Sequence, residues 1–202
     1  HQHGYFDVVE TGWPKLDSLF TSSAYQWPEQ TTEPIILFAP TFSPALTSAP
    51  ALFDEIVRLA DSQPWQWLIK FHPKMAKEWV TKYQGIVNDK VRVITDTDVA
   101  HLLQAADIMV SDTSSIIGEF SLLGKPVVSL NNAQPGDYLL DISQASALES
   151  AINTALVPKE ELSQQIRHYA LDLHPYDDGL SAERILAATQ NMLVNGRNHL
   201  AN

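Results

Sequence analysis

The sequence predicts an α/β domain built on a doubly wound parallel sheet, and three observations carry that expectation. Short apolar runs alternate with segments of helical spacing between residues 35 and 130, the pattern of parallel strands joined by helical crossovers. The runs are too short for helices and are bounded by polar, Gly or Pro residues. Polar side chains gather just beyond them, where open α/β sheets bind ligands.

Strands are expected at 35–38, 67–71, 91–94, 108–110 and 127–130. Leu52, Ile56 and Leu59 mark one helix between them, Trp79, Val80 and Tyr83 a second, and Val99, Leu102 and Leu103 a third. Ile116, Ile117, Phe120 and Leu123 recur at helical spacing, so this helix packs one face on the sheet while its start points at the hydroxyl-rich loop from Ser111 to Ser115. The tail from Gln144 reads as helix, broken near Pro158 and again at His174-Pro175. Ahead of the sheet, Val8-Val9 precede a Gly/Pro turn and a short helix at Gly12-Trp13-Pro14-Lys15-Leu16-Asp17, and a polar, Pro-flanked stretch follows from Ser22 to Pro34. Residues 1–31 are therefore expected to be an interdomain remnant and linker, and 32–202 the sheet domain.

Composition narrows the function classes. With 202 residues, 45% apolar, the chain can bury one sizeable core. A net charge of −11 argues against a nucleic-acid partner and against an anionic membrane surface on this chain, so a phosphorylated ligand must be held locally. Cysteine is absent, which removes disulfides and thiolate zinc sites and fits a reducing compartment. No apolar run approaches the roughly 18 residues of a membrane span, and no signal-peptide pattern opens the chain.

Four loops supply candidate chemistry. A phosphate placed where a helix starts gains unpaired N–H donors and a favourable field, and Thr113, Ser114 and Ser115 add hydroxyls there; the alternative is that one of them simply caps the helix. His72, at a strand end and fixed by Pro73, has an imidazole suited to donating to a phosphoryl oxygen or moving a proton. Glu119 lies one turn after Ser115, where a carboxylate either accepts from two ribose hydroxyls or only complements the helix dipole. Asp96 and Asp98 form a D-x-D pair, but Asp98 or Thr97 stands where an N-cap is needed for the helix that begins at Val99, and capping is the preferred role. His101, His168 and His199 show no metal-ligand spacing, and neither a bound metal nor a cofactor is expected. His174-Pro175 reads as a structural turn, and Gly124-Lys125-Pro126 as the turn into the next strand.

Taken together and in order, the motifs resemble those of the CDP-glycerol glycerophosphotransferase family, the teichoic-acid-type polymerases and primases. They are Gly12-x-Pro14-x-x-Asp17, Ala39-Pro40-Thr41-Phe42, Lys70-x-His72-Pro73, Ala106-Asp107-Ile108 with Ser111-Asp112-x-Ser114-Ser115, Gly124-Lys125-Pro126 and Asp178-Gly179-x-Ser181-x-x-Arg184. Lys15 stands where the family usually has Arg, and Thr113 where an aromatic is common. The resemblance implies a Rossmann-like domain forming one half of a GT-B architecture, the carboxyl-terminal donor-binding half.

It further implies transfer of glycerol phosphate, or a related polyol phosphate, from a CDP-linked donor to a lipid-linked or polymer hydroxyl, with release of CMP. His72 would then stabilise charge on the donor phosphates as the catalytic residue. Thr41, Thr113, Ser114 and Ser115 would bind phosphate, Glu119 the ribose, and the backbone near Val93, Ile94 and Thr95 the cytosine edge. The acceptor site and the base would lie in a missing amino-terminal domain. The intact protein would be cytoplasmic and peripheral on the cytoplasmic face of the membrane. Two other readings remain open: a UDP-sugar-dependent GT-B transferase or UDP-N-acetylglucosamine 2-epimerase-like domain, and a non-catalytic interaction domain.

Overall fold

A computed structural model describes residues 8–26, 32–95 and 98–199. The Asp96 and Thr97 positions of the D-x-D stretch lie outside the described residues. Among those described, six strands form one parallel sheet: β1 (Ile35–Phe38), β2 (Gln66–Lys70), β3 (Val91–Ile94), β4 (Ile108–Ser111), β5 (Val127–Leu130) and β6 (Leu139–Ile142). Their order is β3-β2-β1-β4-β5-β6. The chain therefore builds outward from β1 in one direction, returns to pair β4 on the other side of β1, and builds outward again. This reversal opens a crevice beyond the ends of β1 and β4, where ligands bind in sheets of this kind.

Both faces of the sheet are covered, which is why the inner strands are apolar runs rather than alternations. Ile36, Phe38, Trp67, Ile69, Ile108, Val110 and Val128 point into one core, while Leu37, Leu68, Met109 and Val127 point into the other. The first core is closed by α2 (Ala49–Ser62), α3 (Lys77–Gln84) and α6 (Leu148–Leu156), the second by α1 (Asp17–Thr21), α4 (Ala100–Ala105) and α5 (Ile116–Ser121). The 3-10 turn Pro14–Leu16 leads into α1, and Leu16 and Leu19 are buried. Two further helices follow, α7 (Glu160–Leu173) and α8 (Ser181–His199), so the tail breaks at Pro158 and at His174-Pro175 as expected.

The sheet extends beyond the sequence-based expectation by one strand. β6 has only four residues and a partly exposed edge pattern, and its solvent-exposed Asp141 accepts from Ser129 Oγ at 2.7 Å and from Asn132 N at 3.0 Å. A short edge strand carrying a satisfied carboxylate has too weak a periodic signal to read locally. Lys125 also does more than serve a turn. Gly124 makes the turn with φ +70°, but the Lys125 ammonium donates to the carbonyls of Leu103, Gln104 and Ala106 at 3.2, 2.6 and 2.7 Å and so closes the C-terminus of α4. Burial holds its pKa below the ordinary lysine range.

Candidate functional site

Asp112 organises the crevice. It is fully buried, yet its carboxylate receives three hydrogen bonds: from Thr41 N at 2.9 Å, Ser48 N at 2.7 Å and Ser48 Oγ at 2.8 Å. Ser111 Oγ donates to the Ala39 carbonyl at 2.7 Å. On the other side Asn132 Nδ2 donates to the Asp112 carbonyl at 2.6 Å, and Ala133 N to Thr113 Oγ1 at 2.9 Å. One short segment after β4 thus ties together the loops that follow β1 and β5. The motif Ser111-Asp112-x-Ser114-Ser115 contains this carboxylate, between a buried strand and a run of hydroxyls, but the sequence assigns it no role.

The loop from β4 into α5 opens onto a cleft of about 540 Å³. Thr113, Ser114, Ser115 and Glu119 all line it, with Trp13 and Tyr138 on other walls. No side chain caps α5, contrary to the capping alternative; the amides of Ile117 and Gly118 close its first turn on the Ser114 and Ser115 carbonyls, each at 3.2 Å. Glu119 forms an ion pair with Lys15, from the turn ahead of α1. Tyr138 stacks on Tyr169 of α7 with centroids 3.6 Å apart and planes within 6°. Burial, with Tyr169 alongside, pushes the Tyr138 phenol well above the ordinary tyrosine range.

His72 stands on the neighbouring loop, after β2. Its ring is exposed, stacks on Phe42 at 4.4 Å and 27°, and accepts at Nδ1 from Lys74 N at 3.0 Å. With Nδ1 accepting, the neutral imidazole carries its proton on Nε2, a tautomer assigned from that partner. Thr41 and Phe42 connect this ring to Asp112 through the backbone. Val93 and Ile94 are half-buried in β3, and Thr95 is exposed at its end. They sit beside the end of β2 and are not on the walls of the cleft. Asp98 Oδ1 accepts from Ala100 N at 3.0 Å, in keeping with its expected role at the start of α4. Among the described residues no three His, Asp or Glu side chains are grouped to hold a metal.

Two motifs at opposite ends of the chain interlock beside the cleft. Asp17 accepts from the amides of Ser181 and Ala182, each at 2.9 Å, and so caps α8 from another element. Desolvation raises the Asp17 carboxyl, but those two amides outweigh it and hold the pKa below the ordinary carboxylate range. His174 is buried; Nε2 accepts from Trp13 N at 3.0 Å and Nδ1 donates to the Tyr176 carbonyl at 2.6 Å, the structural role expected of it. Gly12 has φ +81°, and a Cβ there would meet Ser181 Oγ at 2.5 Å and His174 Nε2 at 2.9 Å. Asp178 pairs with Arg184, which stacks over Tyr176 at 3.8 Å.

Residues 2–190 match the family described as CDP-Glycerol:Poly(glycerophosphate) glycerophosphotransferase. The chain is 27% identical over 173 residues to the teichoic acid glycerol-phosphate primase of Bacillus subtilis (strain 168), which covers 79% of this chain and 44% of the primase. A structure of the wall teichoic acid polymerase TagF, in a variant soaked with CDPG, superposes with a TM-score of 0.67 at 14% identity, over 92% of this chain and 50% of that one. A UDP-N-acetylglucosamine 2-epimerase structure superposes with a TM-score of 0.58 at 17% identity, over 93% of this chain and 51% of that one. These likenesses identify a Rossmann-like GT-B fold, and the chain spans about half the length of the proteins it matches. With the family's motifs present in order and nearly the whole chain matched, this protein belongs to the CDP-glycerol:poly(glycerophosphate) glycerophosphotransferase family.

Proposed function

We propose that residues 32–202 form the donor-binding domain of a transferase that moves glycerol phosphate, or a related polyol phosphate, from a CDP-linked donor to a hydroxyl of a cell-surface polymer or lipid-linked acceptor. The observation that carries this reading is the gathering of Thr113, Ser114, Ser115 and Glu119 in one cleft at the sheet's reversal point, in a chain of this family. The amides and hydroxyls of Ser114 and Ser115, with the Thr113 hydroxyl, bind the diphosphate. Glu119 accepts from the ribose hydroxyls. Thr41 and the backbone of Val93, Ile94 and Thr95 complete the phosphate and cytosine contacts.

In the reaction the acceptor oxygen attacks the distal phosphorus of the donor, the bond from that phosphorus to the CMP oxygen breaks, and CMP leaves. The acceptor proton passes to a base outside the described residues. His72 donates from Nε2 to the donor phosphates and offsets charge on the leaving CMP. The stack on Phe42 and the Lys74 amide support that role, since they fix the ring of an exposed residue and engage Nδ1 rather than Nε2. Among the described residues no helix is long and apolar enough to cross a membrane. A lipid-linked acceptor would bring the whole enzyme to the cytoplasmic membrane face from the outside of the bilayer core.

Calorimetric titration with CDP, CDP-glycerol and UDP-sugars tests the reading. CDP and CDP-glycerol are expected to bind more tightly than any UDP-sugar, and both His72→Ala and Ser114→Ala to weaken them. Preferential binding of a UDP-sugar would overturn the glycerophosphate reading. Affinity unchanged in both variants would support a non-catalytic interaction domain.

A further inference from the structure

The Lys15–Glu119 ion pair poses a chemical problem for the donor reading. Among the described residues that line the cleft there is no Lys or Arg, and the one carboxylate on its wall is Glu119. A diphosphate entering beside an unneutralised carboxylate would be repelled, and the chain as a whole carries −11. The cation in contact with that carboxylate is Lys15. Its side chain is 55% exposed whereas that of Glu119 is 12% exposed, so the ammonium end remains in water and is free to swing while the carboxylate is held on α5. Glu119 lies one helical turn, about 5.4 Å, from Ser115, a distance within the sweep of a lysine side chain. The exposed partner makes the pair cheap to open.

We infer that Lys15 is a donor-binding residue whose ammonium leaves Glu119 for the donor diphosphate, releasing the Glu119 carboxylate to the ribose diol. Recognition of the two parts of the donor is thereby coupled. A nucleoside without phosphates must break the ion pair and has nothing to offer the ammonium in return. A nucleoside diphosphate supplies a better partner for Lys15 at the moment its ribose claims Glu119. The neighbouring Trp13 ring, with Lys15 Nζ 5.2 Å from its centroid, gives the ammonium a surface to move across. No bond is made or broken in this exchange, and it rests on the donor reading above.

The test compares CDP with cytidine by calorimetry on the wild-type chain, Lys15→Met and Lys15→Arg. Lys15→Met is expected to weaken CDP by about tenfold or more while cytidine binding stays the same or tightens, because the charge-assisted phosphate contact is lost and the carboxylate is already free. Lys15→Arg retains CDP affinity within about threefold, since a guanidinium can serve both partners. Glu119→Ala has the opposite signature and weakens cytidine by a larger factor than CDP. Loss of CDP and cytidine affinity by the same factor in Lys15→Met would show that Lys15 only supports the fold of the cleft, and would overturn the inference. Unchanged CDP affinity in Lys15→Met would overturn it as well. Preference of the wild type for UDP over CDP would overturn the choice of donor instead, and the same split would then be read with UDP and uridine. Failure of the wild type to bind any nucleoside diphosphate overturns both.

Discussion

Truncating Asp112 to Ala leaves two backbone amides and a hydroxyl without their acceptor at a fully buried point. Unsatisfied buried donors are costly, so a loss of roughly 2–4 kcal/mol is expected in urea unfolding, with a smaller loss for Asp112→Asn, which keeps one acceptor oxygen. His72 is the contrasting case, an exposed ring with little to lose in stability. His72→Ala should leave the unfolding midpoint in place and weaken CDP about tenfold, the value of one charge-assisted contact. Phe42 stacks on the imidazole, and the proposed function makes it a positioning residue. Phe42→Ala should weaken CDP by a smaller factor, and the double variant should bind no more weakly than His72→Ala. Additive losses in this cycle would separate the two residues.

At the level of elements, the start of α8 depends on groups from the other end of the chain. Gly12→Ala combines a positive φ with contacts of 2.5 and 2.9 Å to Ser181 and His174, and a destabilisation of roughly 2 kcal/mol is expected by chemical unfolding. Asp17 makes the same junction sensitive to acid. Its folded pKa lies below the unfolded value, so the stability it contributes is present above the unfolded pKa and is lost as pH falls through the folded one. Asp178 adds to this in the same direction, its carboxyl lowered first by the Arg184 guanidinium. The difference in urea midpoint between wild type and Asp17→Asn should therefore be full at neutral pH and shrink as pH drops below about 4. A difference that stayed constant across that range would exclude a charge-dependent cap.

For the molecule as a whole, nucleotide binding and turnover should separate. CDP at a hundredfold excess over its Kd should stabilise the chain by about 2.7 kcal/mol, which for a domain of this size raises Tm by roughly 5–10 °C. Incubated with a CDP-linked donor and a lipid-linked acceptor, these residues alone should release no CMP above background, because in the proposed function they supply the donor side of the cleft and the described residues form one set of strand-end loops, none assigned to aligning the nucleophile. Release at the rate of a two-domain relative would refute that division of labour. The alternation of apolar runs from Ile35 to Leu130, and the polar loops that end them, were legible in the chain because a strand buried on both faces and a one-sided helix each leave a signature within a few residues. His72, Thr113, Ser114 and Ser115 could be placed just beyond strand ends, and Glu119 one turn into the following helix, for the same reason: strand ends are local features. β6, the Asp112 hub, the Lys15–Glu119 pair across 104 residues and the Asp17 cap of α8 across 164 residues belong to the tertiary structure. Each is a polar contact whose partner is brought near only when the sheet reverses direction and the chain ends meet, and no periodicity along the sequence encodes that meeting.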